Sequence, residues 1–188
     1  MRKIVAIIFV LSLFSLTIQQ DKPCGGVERW DVKTLSDKDA DSVNMRTIYS
    51  TVSKLTAIDP GRKIGDHTPR FGVEFNTYTI KCRISYFKRE EDGDLHLVLV
   101  DLKDSTKTMI GEIPNLSCDS IASKENRFNK YFVAAEQEFL KYKLSRGRVM
   151  PGIYQIKGVA FFDQKHGQRG MAPNGIELHP ILKFKKIE

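Results

Sequence analysis

A mainly β chain, folded as a five-stranded closed barrel with helices beside it, is what this sequence predicts, and three observations lead there. Period-two alternation takes over after Val73, where Tyr78, Ile80, Cys82, Ile84 and Tyr86 share one face. Five alternating stretches follow one another, separated by turn-rich segments. A single stretch of helical spacing, Phe128, Phe132, Ala135, Phe139 and Tyr142, falls between the third and the fourth.

The elements follow in order. Met1-Arg2-Lys3 and the apolar run Ile4 to Leu16 read as a secretory signal over residues 1–20, cleaved near residues 18–20. That places the mature chain in the periplasm or outside the cell. Residues 21–72 form an N-terminal arm. Its first part is polar, with apolar anchors at Val27, Trp30, Val32 and Leu35. The Asp37-x-Asp39-x-Asp41 spacing suggests a calcium loop, but Ser42 and Ile48 stand where that loop needs Gly and Glu, so a solvated loop is expected. Met45, Ile48, Val52 and Leu55 recur at helical spacing up to Pro60-Gly61, which predicts one amphipathic helix, and residues 60–72 are a connector. The barrel occupies residues 73–188. Its strands are Tyr78 to Lys88, Asp94 to Asp101, Lys107 to Ile113, Ile153 to Asp163 and Ile176 to Lys185, with Lys88 to Gly93 as the first turn. Three strands, a helix and two strands are the element order of an OB-fold, a Greek-key barrel.

Composition narrows the class. The chain has 188 residues, 41% hydrophobic and 28% charged, with no second long apolar run, which excludes a disordered chain and a polytopic membrane protein. One domain of ordinary size is expected. The net charge of +7 includes Arg2 and Lys3, so the mature excess is modest and permits a polyanion partner without requiring one. Cys24, Cys82 and Cys118 allow one disulfide of open connectivity; Cys82 shares the apolar face of its strand and reads as a core thiol. Familiar catalytic motifs are absent: there is no His-Glu-x-x-His, no Gly-x-Ser-x-Gly and no phosphate-cradling loop.

In an OB-fold the ligand usually lies on strands two and three, between the loop joining strands one and two and the loop joining four and five. Here those loops supply Lys88 and Arg89 on one side, and Lys165, His166, Gln168, Arg169 and Asn174 on the other. Lys81 and Arg83, with Tyr86, Phe87, Phe161 and Phe162, add the mixture of basic and aromatic residues that single-strand binding uses. Lys183-x-Lys185-Lys186 reads as a solvated strand edge.

A second constellation is acidic. Asp94-x-His96 on strand two and Glu177-x-His179 on strand five each place an acid and an imidazole on one face, opposite the Leu95, Leu97 and Leu99 face. Barrel order sets strand three between them, so Glu112 falls between the pairs and His166 reaches in from the loop. Asp94, His96, Glu112, Glu177 and His179 are the metal-ligand set for Zn²⁺ or Mn²⁺, and Glu112, His166 and Glu177 the catalytic candidates. The competing reading of the same residues is a structural hydrogen-bond network. His67, isolated in the connector, reads as a surface histidine.

The strings Arg29-Trp30-x-Val32-Lys33-Thr34, Asp92-Gly-Asp-x-His96-Leu-Val-Leu, Thr108-Met-Ile-x-Glu112-Ile-Pro114 and His166-Gly-Gln168-x-Gly170-x-Ala-Pro-Asn174-Gly-Ile-Glu177-Leu-His179-Pro180 resemble a family of exported bacterial proteins with no assigned activity. The resemblance runs from about Arg29 to the C-terminus and implies export of one intact domain, without naming a reaction. In element order the chain is also similar to staphylococcal-type nucleases, although their arginine and carboxylate pattern is not found around Asp101 to Glu112. The expected function is therefore an exported module binding an extended or anionic ligand, nucleic acid or glycan. The alternatives are a metal-assisted hydrolase using the His/Asp/Glu cluster with a divalent cation, and an envelope protein whose partner docks on the arm.

Overall fold

The computed structural model describes residues 28–118, 126–142 and 149–188. Its strands are β1 (Asn44–Ser50), β2 (Asn76–Arg89), β3 (Leu95–Asp101), β4 (Thr108–Ile113), β5 (Met150–Phe162) and β6 (Ile176–Lys186). The helices are α1 (Trp30–Lys33), α2 (Val52–Leu55) and α3 (Asn129–Leu140), with short 3₁₀ turns at Ala40–Ser42 and Gly72–Phe75. Hydrogen bonding runs β1-β2-β3-β4-β6-β5, and β5 returns to β2. β2, β3, β4, β6 and β5 therefore close a five-stranded barrel, with β4 and β6 parallel and α3 between β4 and β5. This is the OB-fold-like barrel that the element order predicted.

Alternation explains the closure. One face of each strand turns inward: Ile80, Cys82 and Ile84 from β2, Leu95, Leu97 and Leu99 from β3, Met109 and Ile113 from β4. Ile156, Ala160 and Phe162 from β5 join Ile176, Leu178 and Ile181 from β6, and α3 closes the cluster with Ala135 and Phe139. At Gly111 a Cβ would lie 2.8 Å from the Leu99 side chain, so the missing side chain lets β3 and β4 fill the interior without overlap. No helix among the described residues is long and apolar enough to cross a membrane.

The arm departs from expectation between Met45 and Ser50. The helix expected to run from Met45 to Leu55 is instead a strand followed by one helical turn: β1 pairs in parallel with Asn76 to Ile80 of β2, then Thr51 caps α2 through Lys54 N–H. The helical spacing joined residues from two elements, and Ile48, assigned to the buried face, is 43% exposed. The segment Thr47-Ile48-Tyr49-Ser50-Thr51-Val52 carries the β-branched and aromatic residues that favour a strand.

Two buried guanidiniums fasten the arm. Arg29 meets Glu74 with both forks, at 2.8 and 2.6 Å, and donates to the Phe162 carbonyl at 2.8 Å. Arg70 holds Asp37 at 2.6 Å and donates to the carbonyls of Val32 and Glu74. Asp37 is thus engaged in an ion pair, Asp39 meets Lys38, and Asp41 meets Arg127. A second apolar cluster, Leu35, Ala40, Val43, Phe128, Phe132, Val159 and Leu182, seats the arm against the outside of the barrel. Cys82 is a buried free thiol, and burial pushes its pKa up, as expected of a core cysteine. Cys118 is disulfide-bonded, and Cys24 and the expected signal lie outside the described residues.

Candidate functional site

Strand register brings the acid-x-His pairs together. On β3 and β4, His96 stands opposite Glu112; on β4 and β6, Ile110 stands opposite Glu177 and Gly111 opposite Leu178. Because the neighbouring residues turn inward, Asp94, His96, Glu112, Glu177 and His179 all lie on the outer side of the barrel. That side is nevertheless closed. Every residue of β3 is buried, and the five side chains are at most 8% exposed. The loop between β5 and β6 lies over it: Gly170, at φ +87°, sits so close to Val98 that a Cβ would be 2.5 Å from its methyls. Only a residue without a side chain fits there, and the fit lets the Arg169 carbonyl reach His96 Nε2 at 3.0 Å.

His96 Nδ1 lies 2.9 Å from Glu112 Oε1 and 3.3 Å from Glu90. His179 faces carboxylates from both nitrogens: Nδ1 is 3.1 Å from Glu112 Oε2 and 3.9 Å from Glu177, and Nε2 is 3.4 Å from Asp94 Oδ2. The second Asp94 oxygen accepts the Asn115 N–H at 2.7 Å. The close approaches of His179 lack hydrogen-bond alignment, so both its nitrogens, both Glu177 oxygens and Asp94 Oδ2 are buried with no hydrogen-bond partner among the described residues.

The charges are tightly linked. Burial opposes ionisation of Glu112, yet the two imidazoles beside it hold its carboxyl well below the usual range. Burial works against a charged His179 too, and Asp94, Glu112 and Glu177 overcome it, raising the pKa well above that of a free imidazole. His96 is raised by Glu112 against the same opposing effect. Glu177 goes the other way: burial pushes it up to about 7, with His179 opposing. Next to this group Lys33 of α1 lies 3.7 Å from Asp163, and its ammonium faces the Phe161 ring. Burial would lower the Lys33 pKa, but the surrounding carboxylates raise it.

The rim residues fall elsewhere. Lys88 pairs with Glu90, and Arg89 bonds the Gly93 carbonyl and Glu136. Asn174 donates to the carbonyls of Leu55 and Ile58, tying the β5–β6 loop to the arm. His166 is exposed and meets Glu28, away from the buried cluster. Lys165 lines an open cavity of about 540 Å³ with Arg62 and Lys63, Gln168 is half-buried, and the Arg169 guanidinium stacks 4.2 Å from the Tyr86 ring. Phe161 and Phe162, expected at the rim, are fully buried, and His67 is exposed as expected. The outer side of β3 and β4 is therefore not an open ligand surface, because the loop and the arm cover it.

An open basic surface lies on the opposite side. Cross-strand pairing puts Tyr49, Thr79, Lys157 and Lys183 in one row, and Lys81, Gln155 and Lys185 in the next. Two adjoining hollows of about 310 and 180 Å³ share Tyr49, Thr79 and Gln155, and take their walls from Lys81, Lys103, Lys157 and Lys183. Among the described residues their one carboxylate, Asp101, is occupied by the N–H groups of Ser53, Lys103 and Asp104. Tyr49 is 75% exposed. Sequence reasoning weighed Lys81, Arg83, Lys183 and Lys185 but missed Tyr49, Lys103 and Lys157. The signal was present in the period-two repeats Lys81-x-Arg83, Gln155-x-Lys157 and Lys183-x-Lys185. Likewise missed on the closed side were Lys33, Asp163 and Glu90. No known family model matches the chain, and comparison with the curated proteins finds no match.

Proposed function

We propose that this chain is an exported OB-fold module that binds an extended anionic ligand on the open face of β1, β2, β5 and β6. The observation that carries the reading is the row of lysines along a trough whose single carboxylate among the described residues is already engaged by backbone N–H groups. Lys157 donates to the Met45 carbonyl at 2.7 Å, which fixes one ammonium in the trough wall. Burial and the neighbouring Lys183 hold its pKa below the ordinary lysine value, so an anion placed between the two ammoniums relieves their repulsion. Tyr49, projecting beside these charges, favours single-stranded nucleic acid, since a base can stack on the ring while the backbone is neutralised. An acidic glycan shares the charge requirement and not the stacking.

Fluorescence anisotropy with labelled single-stranded DNA, RNA and a sulfated glycan tests this. With about four ammoniums engaged, the logarithm of affinity should fall with the logarithm of salt at a slope near −3. Lys81→Ala with Lys183→Ala should weaken binding and flatten the slope by about 1.4. Tyr49→Ala should reduce affinity for single strands and leave glycan binding unchanged. Salt-independent binding, or none to any of the three, would refute the proposal, and glycan binding alone would replace nucleic acid as the ligand.

A further inference from the structure

The closed side of the barrel carries an independent inference. We infer that Asp94, Glu112 and His179, with Glu177 at the edge, bind one divalent first-row transition cation. One ligand atom from each of Asp94, Glu112 and His179 lies within 4.8 Å of the others. Proximity of acids is not a site by itself. What distinguishes this group is that Asp94 Oδ2, both Glu177 oxygens and both His179 nitrogens are buried without a hydrogen-bond partner among the described residues. Buried polar atoms are nearly always satisfied, and several unsatisfied ones aimed at one another call for an ion or a water. Two carboxylates and an imidazole without a thiolate suit Zn²⁺ or Mn²⁺ better than Ca²⁺, which prefers oxygen ligands.

The surroundings hold these ligands in place. Asp94 Oδ1 is fixed by the Asn115 N–H, leaving Oδ2 for the ion. His96 Nε2 faces the Arg169 carbonyl, which can only accept, so that nitrogen carries a proton. Its Nδ1 meets Glu112 Oε1, leaving Oε2 for the ion. His96 is therefore a positioning residue, oriented by the loop and orienting a ligand in turn. One nitrogen of His179 takes the ion and the other keeps its facing carboxylate.

The place in the fold assigns a role. The parallel contact of β4 with β6 is the shortest ladder of the barrel, with partners only at Ile110–Glu177 and Gly111–Leu178. An ion held by Glu112 of β4 and His179 of β6, with Asp94 beside the start of β3, fastens that seam from outside.

The experiment uses the full chain, unfolded with a chelator, refolded without metal and titrated calorimetrically with Zn²⁺ and Mn²⁺ in turn. One ion should bind per chain, and the melting temperature should rise on saturation. Asp94→Asn and Glu177→Gln keep shape and should each weaken binding at least tenfold. His179→Ala removes a ligand outright, with circular dichroism reporting whether it folds; the two isosteric variants carry the test if it does not. The inference is overturned if neither ion binds the wild type. It is equally overturned if the isosteric variants bind as the wild type does, or if only Glu28→Gln or His166→Ala abolishes binding, since those two residues form a different group with Asp163. The Lys81→Ala, Lys183→Ala protein should keep full metal uptake, which separates this test from that of the anionic surface.

Discussion

The two outer sides of this barrel handle charge in opposite ways. On the side of β3, β4 and β6, the carboxylates and imidazoles are covered by the β5–β6 loop and the arm, so each charge needs a partner within a few ångströms. On the side of β1, β2, β5 and β6, Lys81, Lys103, Lys183 and Lys185 stay in water, and the half-buried Lys157 is tied to the Met45 carbonyl. The difference teaches that a barrel strand's outward face is not a surface until one knows what lies on it. A single strand shows both regimes: β6 carries Glu177 and His179 under cover at one end, and Lys183 and Lys185 in solvent at the other.

Substitutions that strand a charge under the cover should do the most damage. Arg29→Met leaves the buried Glu74 carboxylate without its counter-charge, held only by the N–H groups of Phe162 and Phe71, and should cost about 3–5 kcal/mol in urea unfolding; a loss under 1 kcal/mol would mean that side is wetter than described. Next comes the seal itself. Gly170→Ala must push the loop off Val98 and adopt a left-handed backbone, which should cost about 1–3 kcal/mol in thermal unfolding. A variant as stable as the wild type would show that the loop does not close this side.

Smaller effects are expected at the rim of the open side. Burial would raise the Asp101 pKa, but its hydrogen bonds from Ser53, Lys103 and Asp104 outweigh this and hold it low. A carboxyl depressed by folding stabilises above the ordinary carboxylate range and loses that contribution as pH falls through the folded-state value. Asp101→Ala should therefore cost about 1 kcal/mol at neutral pH, and its deficit relative to wild type should shrink below about pH 4. Smallest of all, Lys81→Ala and Lys183→Ala should change stability by no more than about 0.5 kcal/mol while altering salt-dependent binding. A larger stability loss would give these lysines a structural role and weaken the contrast.

The barrel strands were legible because each has an apolar inner face, and alternation depends on that face alone. Asp94, His96, Glu112, Glu177 and His179 were legible as a group for the same reason, since residues two apart share a side and barrel order makes β4 the neighbour of both β3 and β6. The cover was not. Nothing local in Gly170 or Arg169 states that their backbone lies across β3, and nothing in Arg29 names Glu74 as its partner. β1 was misread because an edge strand with few inward residues has too weak an alternation to compete with Met45, Ile48, Val52 and Leu55. Tyr49 and Lys103 belong to the open face only because β1 lies beside β2, and that pairing is a tertiary fact.

The Arg29 clamp also sets an order of events. Its guanidinium bridges Glu74 and the Phe162 carbonyl, the latter 133 residues further along the chain. A ribosome delivers the arm first and the far wall of its socket last, so Arg29 and α1 must wait while nearly the whole barrel is made. Contacts so distant in sequence form late, after the entropy of closing the intervening loop has been met by other interactions. Until then the closed side lacks the part of its cover that α1 supplies, and the ion inferred at Asp94, Glu112 and His179 would have its easiest route in.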